Sequence, residues 1–224
     1  MRDRVLIEKR RKDEVKIVKV RILTGILSFG ILLAFLYAPA AGGDEEASNM
    51  KLDKATFAGG CFWCMQPPFD KLEGVVSTVV GYSGGHKENP TYAEMSSGST
   101  GHAEAIEIQY DPSKISYAQL LDVFWHNVDP FVKDRQFCDV GFQYRSAIFY
   151  HDDEQKRLAE ESKKALEQSK GVPGPVYTEI APAGEFYPAE DYHQEYYKKN
   201  PFLYKFYRNN CGRDQRLEEI WGGI

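Results

Sequence analysis

Residues 103–111 read AEAIEIQYD, and from Ile106 to Asp111 apolar and polar side chains alternate. Successive strand side chains point to opposite faces, so this run fits a strand with one face in a core. DKATFA (53–58), VVSTVVGY (75–82), RSAIFYH (145–151) and PVYTEIAP (175–182) also have strand character. Two helical patterns lie among them. SYAQLLDVFWHNV places Leu120, Leu121, Phe124 and Trp125 at helical spacing. DDEQKRLAEESKKALEQS is a charged surface helix, with Asp152 or Asp153 as its cap and Gly171 as its stop. Strands and helices interleave without a strict parallel rhythm. One mixed α/β or α+β domain over roughly 53–210 follows, and 224 residues suffice for one good core.

The first forty residues stand apart. Residues 1–21 hold nine Lys or Arg and four Asp or Glu, followed by the uncharged apolar run Ile22–Tyr37 and then APAAGG. Basic, apolar and small-residue regions in that order describe a secretory signal peptide cleaved after Ala40, or an N-terminal membrane anchor if residues 1–40 are kept. In either case the rest of the chain is exported, periplasmic or anchored facing the periplasm. Residues 41–52 are small and polar and read as a flexible leader, with the remaining domain from 53 to 224. Beyond residue 40 the chain has 19 basic and 29 acidic residues, a net charge of −10. Such a surface is poorly suited to nucleic acid. Nothing in the sequence asks for more than a monomer.

All four cysteines, Cys61, Cys64, Cys138 and Cys211, fall in the exported part, where disulfides persist. Two of them sit in GGCFWC (59–64), between a strand and a helix. Pro67 and Pro68 put the helix start near residues 64–66, with Cys61 just before it. A thiol there faces unpaired N–H groups, which favour the thiolate, and Gly59 and Gly60 permit a tight turn. The C-x-x-C pair has three readings: half of a zinc site, a thioredoxin-like dithiol, or a nucleophile with its own resolving partner. No second ligand pair has zinc spacing, so no metal is expected. In the third reading Phe62 and Trp63 cup a small apolar group beside the nucleophile. Two long stretches without periodicity, 83–102 and 127–144, carry Tyr, Cys, His and Phe and read as walls of a site.

The motifs GGCFWC (59–64), NPTY (89–92), SGSTGHAEAIEIQYDP (97–112), CDVGFQYRSAIFYH (138–151) and AEDYHQEYY (189–197) occur in this order. With them the chain resembles the peptide methionine sulfoxide reductase A family, in its GCFWC form, from about Lys54 to about Trp221. The resemblance implies an α+β fold: a single mixed-sheet, two-layer sandwich with a ferredoxin-like core, long irregular active-site loops and a coiled C-terminal tail. It implies reduction of (S)-methionine sulfoxide, free or in proteins, with no bound cofactor and an external thioredoxin-like reductant. Cys61 would attack the sulfoxide sulfur and Cys64 would resolve the product as a disulfide. Phe62 and Trp63 would hold the methyl, Glu104 would share a proton with the sulfoxide oxygen, and Tyr92, Tyr144 and Asp139 would hydrogen-bond around it. Cys211 is either a recycling thiol or half of a structural bridge with Cys138, with recycling slightly favoured.

Each residue also has a plainer reading. Glu104 opens a strand and would ordinarily be exposed; Tyr92 and Tyr144 could be core tyrosines, and Asp139 a turn cap. His193 could be a core histidine and His102 a supporting residue. Two other functions also remain: a thioredoxin-like periplasmic dithiol–disulfide oxidoreductase, and a non-enzymatic domain stapled by disulfides.

Overall fold

The computed structural model describes residues 51–169 and 174–222. The proposed signal or anchor segment, nearly all of the leader and Gly171 lie outside them. Among the described residues no helix is long and apolar enough to cross a membrane.

The predicted strands form β1 (Asp53–Gly59), β2 (Val75–Ser83), β3 (Ala103–Tyr110) and β6 (Ser146–Tyr150). Two short strands, β4 (Arg135–Gln136) and β5 (Asp139–Val140), pair as a separate hairpin. Of PVYTEIAP only β7 (Glu179–Pro182) joins the sheet, residues 175–178 having no regular structure, and β8 (Tyr187–Pro188) adds an edge. The main sheet runs β7-β6-β1-β3-β2-β8, antiparallel except for the parallel β6–β7 pair. Its centre, β6-β1-β3-β2, has the ferredoxin-like order, with helical crossovers from β1 to β2 and from β3 to β6.

Those crossovers contain α1 (Phe62–Asp70) and α3 (Tyr117–Trp125). A short α2 (Tyr92–Ser96) and the surface helix α4 (Asp153–Gln168) complete the helices before β7. Register explains the layers. Phe57 of β1 lies opposite Ile106 of β3 and Ile148 of β6. These residues, with Ile108, meet Met65 and Phe69 of α1 and Leu120, Leu121 and Phe124 of α3 in the main core. The opposite face is built from the aligned Ala58, Ala105 and Ala147, against which Ala183 and Phe186 pack. Small side chains there let an irregular segment lie close to the sheet.

The α4 cap is Asp152, whose carboxylate accepts the Gln155 N–H at 2.8 Å. The C-terminal tail is more regular than the expected coil: α5 (Tyr196–Lys199), α6 (Pro201–Asn210) and α7 (Arg213–Trp221) follow in succession.

Candidate active site

The strand β1 ends in Gly59, and Gly60 turns the chain at φ +74°. A Cβ on Gly60 would lie 2.4 Å from the Gln136 Cβ, so both the backbone angle and the space require glycine. Cys61 is then the N-cap residue of α1. The helix starts at Phe62, earlier than the prolines suggested. Pro67 and Pro68 lie inside it, where they give no N–H to the carbonyls of Trp63 and Cys64. The main core is built partly from the Met65 and Phe69 side chains that flank the two prolines.

Glu104 is the second residue of β3 and faces the same side as Ile106 and Ile108. The exposed reading therefore fails: the residue is 2% accessible. Its Oε2 accepts the Phe62 N–H at 2.9 Å, satisfying one free donor at the start of α1. Burial pushes the Glu104 carboxyl up to about 8, against the pull of that N–H, with the charges of Asp139 and Cys64 adding to the rise. At neutral pH Glu104 is thus a carboxylic acid able to give a proton.

Around it, Cys61, Phe62, Trp63, Tyr92, Asp139 and Tyr144 line one cavity of about 270 Å³. Every residue assigned to attack, methyl binding or hydrogen bonding at the sulfoxide thus meets in one place, and both aperiodic stretches contribute walls. Burial raises the Tyr92 hydroxyl to about 12 and also raises Tyr144, so both remain hydrogen-bond donors. Burial pushes Asp139 up as well, while the Tyr207 hydroxyl and the Arg213 charge pull it down.

Cys64 lies beneath Cys61, its N–H bonded to the Cys61 carbonyl at 3.0 Å. Both thiols are free and buried. Burial opposes the pull of the helix start toward a Cys61 thiolate. Burial and the neighbouring Cys64 push the Cys61 thiol up. The interaction with Cys61, helped by Arg213 and Arg208 and opposed by burial, brings Cys64 down to about 6. The two thiols titrate as a coupled pair, so the charge gained near 6 belongs to the dithiol as a whole.

Several residues at the site were not assigned from sequence. Tyr207 of α6 completes the cavity and gives its hydroxyl to both Asp139 oxygens at 2.8 and 2.7 Å. Tyr196 stacks on Trp63 with ring centroids 3.8 Å apart. Trp63 Nε1–H donates to Nδ1 of His193 at 3.0 Å, so His193 is a buried support for the tryptophan. Glu190 accepts from the Tyr82 hydroxyl and the Tyr92 N–H, pinning α2 to AEDYHQEYY. The residue types in that motif were the available signal, since paired aromatics and acids need partners when buried. His102 is buried away from the cavity and holds the 85–87 loop through the Gly85 N–H and the Lys87 carbonyl. Cys211, favoured for recycling, is bonded to Cys138, so the structure contains the bridge arrangement.

A dithiol at a helix start, set against a neutral carboxyl and tyrosine hydroxyls, has the chemistry of a thiol-dependent oxidoreductase. Residues 53–223 match the family model of peptide methionine sulfoxide reductase, and the chain belongs to that family. It is 52% identical to the peptide methionine sulfoxide reductase MsrA of Bacillus licheniformis, over 77% of this chain and 95% of that one. The corresponding protein of Bacillus subtilis is 51% identical, with 77% and 97% covered. Similar solved structures include reduced Mxr1 from Saccharomyces cerevisiae (TM-score 0.64, 32% identity, 68% of this chain and 87% of that chain). Methionine sulfoxide reductase A of Corynebacterium diphtheriae has a TM-score of 0.60 and 35% identity, covering 69% of this chain and 77% of that chain.

Proposed function

We propose that the chain reduces the S epimer of methionine sulfoxide, free or in proteins, in an exported compartment. The observation that carries this reading is the buried Glu104 carboxyl, pushed up to about 8 and facing the same cavity as Cys61. A thiol displaces at a sulfoxide sulfur only if the oxygen is protonated or strongly hydrogen-bonded, and Glu104, Tyr92 and Tyr144 supply both.

The methyl group packs against Phe62 and Trp63, and the oxygen faces Glu104. Cys61 attacks the sulfoxide sulfur as its proton passes to Cys64, and Glu104 protonates the oxygen. Oxygen transfers to Cys61, giving a sulfenic acid, and the substrate leaves reduced to the thioether. Cys64 then attacks the Cys61 sulfur, and the oxygen departs as water with the Cys64 proton. The negative charge that began on the dithiol ends on Glu104, so charge is conserved. An external thioredoxin-like dithiol reduces the Cys61–Cys64 disulfide and is itself oxidised. The Cys138–Cys211 bond acts as a structural bridge outside this cycle.

Export rests on the basic, apolar and small-residue order of residues 1–40. It makes a periplasmic thioredoxin-like protein the donor. Mass spectrometry of the mature N-terminus tests it; a mature chain starting at Met1 would leave an anchor and exclude cleavage.

The activity is tested with separated epimers of a methionine sulfoxide peptide, dithiothreitol as reductant and Cys61→Ser as control. Reduction of the S epimer alone, abolished in the variant, is expected. Reduction of disulfides without sulfoxide turnover would make the chain a dithiol exchanger instead.

A further inference from the structure

Arg213, the first residue of α7, is 1% accessible. Arg145, the other buried arginine among the described residues, is paired with Glu179. Arg213 has no carboxylate within ion-pair distance among the described residues. Its Nη2 donates to the carbonyls of Asn127 at 2.6 Å and Gly59 at 3.1 Å and touches the Met65 sulfur at 3.0 Å, while its Nε–H has no partner. Its guanidinium lies over the Phe137 ring, 4.4 Å from the centroid. Burying a guanidinium without a carboxylate is still costly, and a nearby anion offsets that cost.

The contacts show where. Gly59 lies two residues before Cys61, and the Met65 N–H bonds to the Cys61 carbonyl at 3.3 Å. Arg213 thus braces both ends of the turn that carries the two thiols. We propose that Arg213 is the counter-charge of the Cys61–Cys64 dithiol, a positioning residue that favours the anion of the pair and fixes the backbone beneath Cys61. The inference rests on reading Cys61 and Cys64 as the reacting pair.

The groups that act on Cys64 come from several elements: Cys61 at the start of α1, Arg208 and Tyr204 from α6, Arg213 from α7, Asp139 from β5 and Glu104 from β3. Cys61, Arg213 and Arg208 favour its anion, and Asp139 opposes it. Arg208 already bonds Asp214 through Nε at 2.8 Å, which leaves Arg213 as the buried cation without a competing carboxylate. The influence is mutual: burial lowers the Arg213 guanidinium, and the Cys64 charge opposes that.

The test is a titration of thiolate absorbance in the wild-type chain, Arg213→Gln and Arg213→Lys, with epimer-resolved turnover measured in parallel. The wild-type midpoint is expected at about 6. Arg213→Gln should move it up by at least about one unit, a roughly tenfold loss of thiolate at a given pH on the rising limb. Arg213→Lys should restore most of the shift. Lower turnover in Arg213→Gln with an unmoved midpoint would overturn the proposal and leave a packing role. A shifted midpoint in a chain whose wild type reduces no sulfoxide would support the counter-charge and refute the reductase reading.

A second measurement does not need Arg213→Gln to fold. Cys64 is lowered from the thiol range, so its anion contributes stability that appears as pH rises through about 6 and grows toward 9. The stability difference between wild type and Cys64→Ser should widen over that interval. A flat difference would overturn the proposal.

Discussion

The four cysteines form two pairs that the fold treats in opposite ways. Cys61 and Cys64 are three residues apart, at the start of one helix, buried and free. Cys138 and Cys211 are 73 residues apart, exposed and half-buried respectively, and joined. The first pair is surrounded by a proton donor, tyrosine hydroxyls and arginines; the second ties the β5 strand to the end of α6. The residue type is identical, so the difference comes from burial, neighbouring charge and loop length. A thiol becomes chemical where its anion is stabilised and a substrate fits, and structural where it closes a long loop.

The sharpest way to break this contrast is to remove the nucleophile. Cys61→Ser should lower turnover by at least about 10³-fold, because no other group forms the covalent intermediate. Residual steady-state activity within tenfold of wild type would transfer the chemistry to another thiol.

Glu104→Gln keeps the shape and removes the proton. A loss of about 10²–10⁴-fold in kcat/KM is expected. In the wild type, activity should rise through about 6 as the dithiol gains its charge and fall through about 8 as Glu104 loses its proton. The variant should lack the falling limb. Stability gives a second check with a defined sign. A raised carboxyl binds its proton more tightly when folded, so wild-type stability falls as pH rises from the ordinary carboxylate range to about 8. The stability of Glu104→Gln relative to wild type should therefore grow over that interval and level off above it.

Removing the bridge acts on stability. Cys138→Ser with Cys211→Ser should cost about 2–4 kcal/mol, read from denaturant unfolding. Turnover with dithiothreitol should persist. A variant as stable as wild type but unable to cycle would make Cys211 a recycling thiol and dissolve the division between the pairs. The smallest effect is expected at His193→Phe, which removes the acceptor for Trp63 Nε1–H. About 1 kcal/mol, chiefly in KM for the sulfoxide peptide, is the scale of one hydrogen bond.

Much of this was legible in the sequence because the signals are local. Alternation from Ile106 to Asp111 located β3, and the glycines before Cys61 marked the turn from strand to helix. Tyr92, Asp139 and Tyr144 lie in stretches whose composition is wrong for plain connections, whereas Glu104 opens β3 itself. What sequence missed depends on distant partners. Helical spacing does not show that Tyr207 meets Asp139 or that Arg213 meets Gly59. The β8 strand is too short for a pattern of its own and exists because β2 offers an edge. The start of α1 was misplaced because proline chemistry was weighed without the packing of Met65 and Phe69. The helix end favours a Cys61 thiolate and burial opposes it, and the depth of that burial is invisible to a local motif.

The most direct test is a single turnover without reductant, using excess (S)-methionine sulfoxide peptide, followed by peptide mapping under non-reducing conditions. One reduced methionine per chain, a new Cys61–Cys64 disulfide and an unchanged Cys138–Cys211 disulfide are expected. A disulfide between Cys61 and Cys211, or two methionines per chain, would contradict the separation of the two pairs on which the account rests.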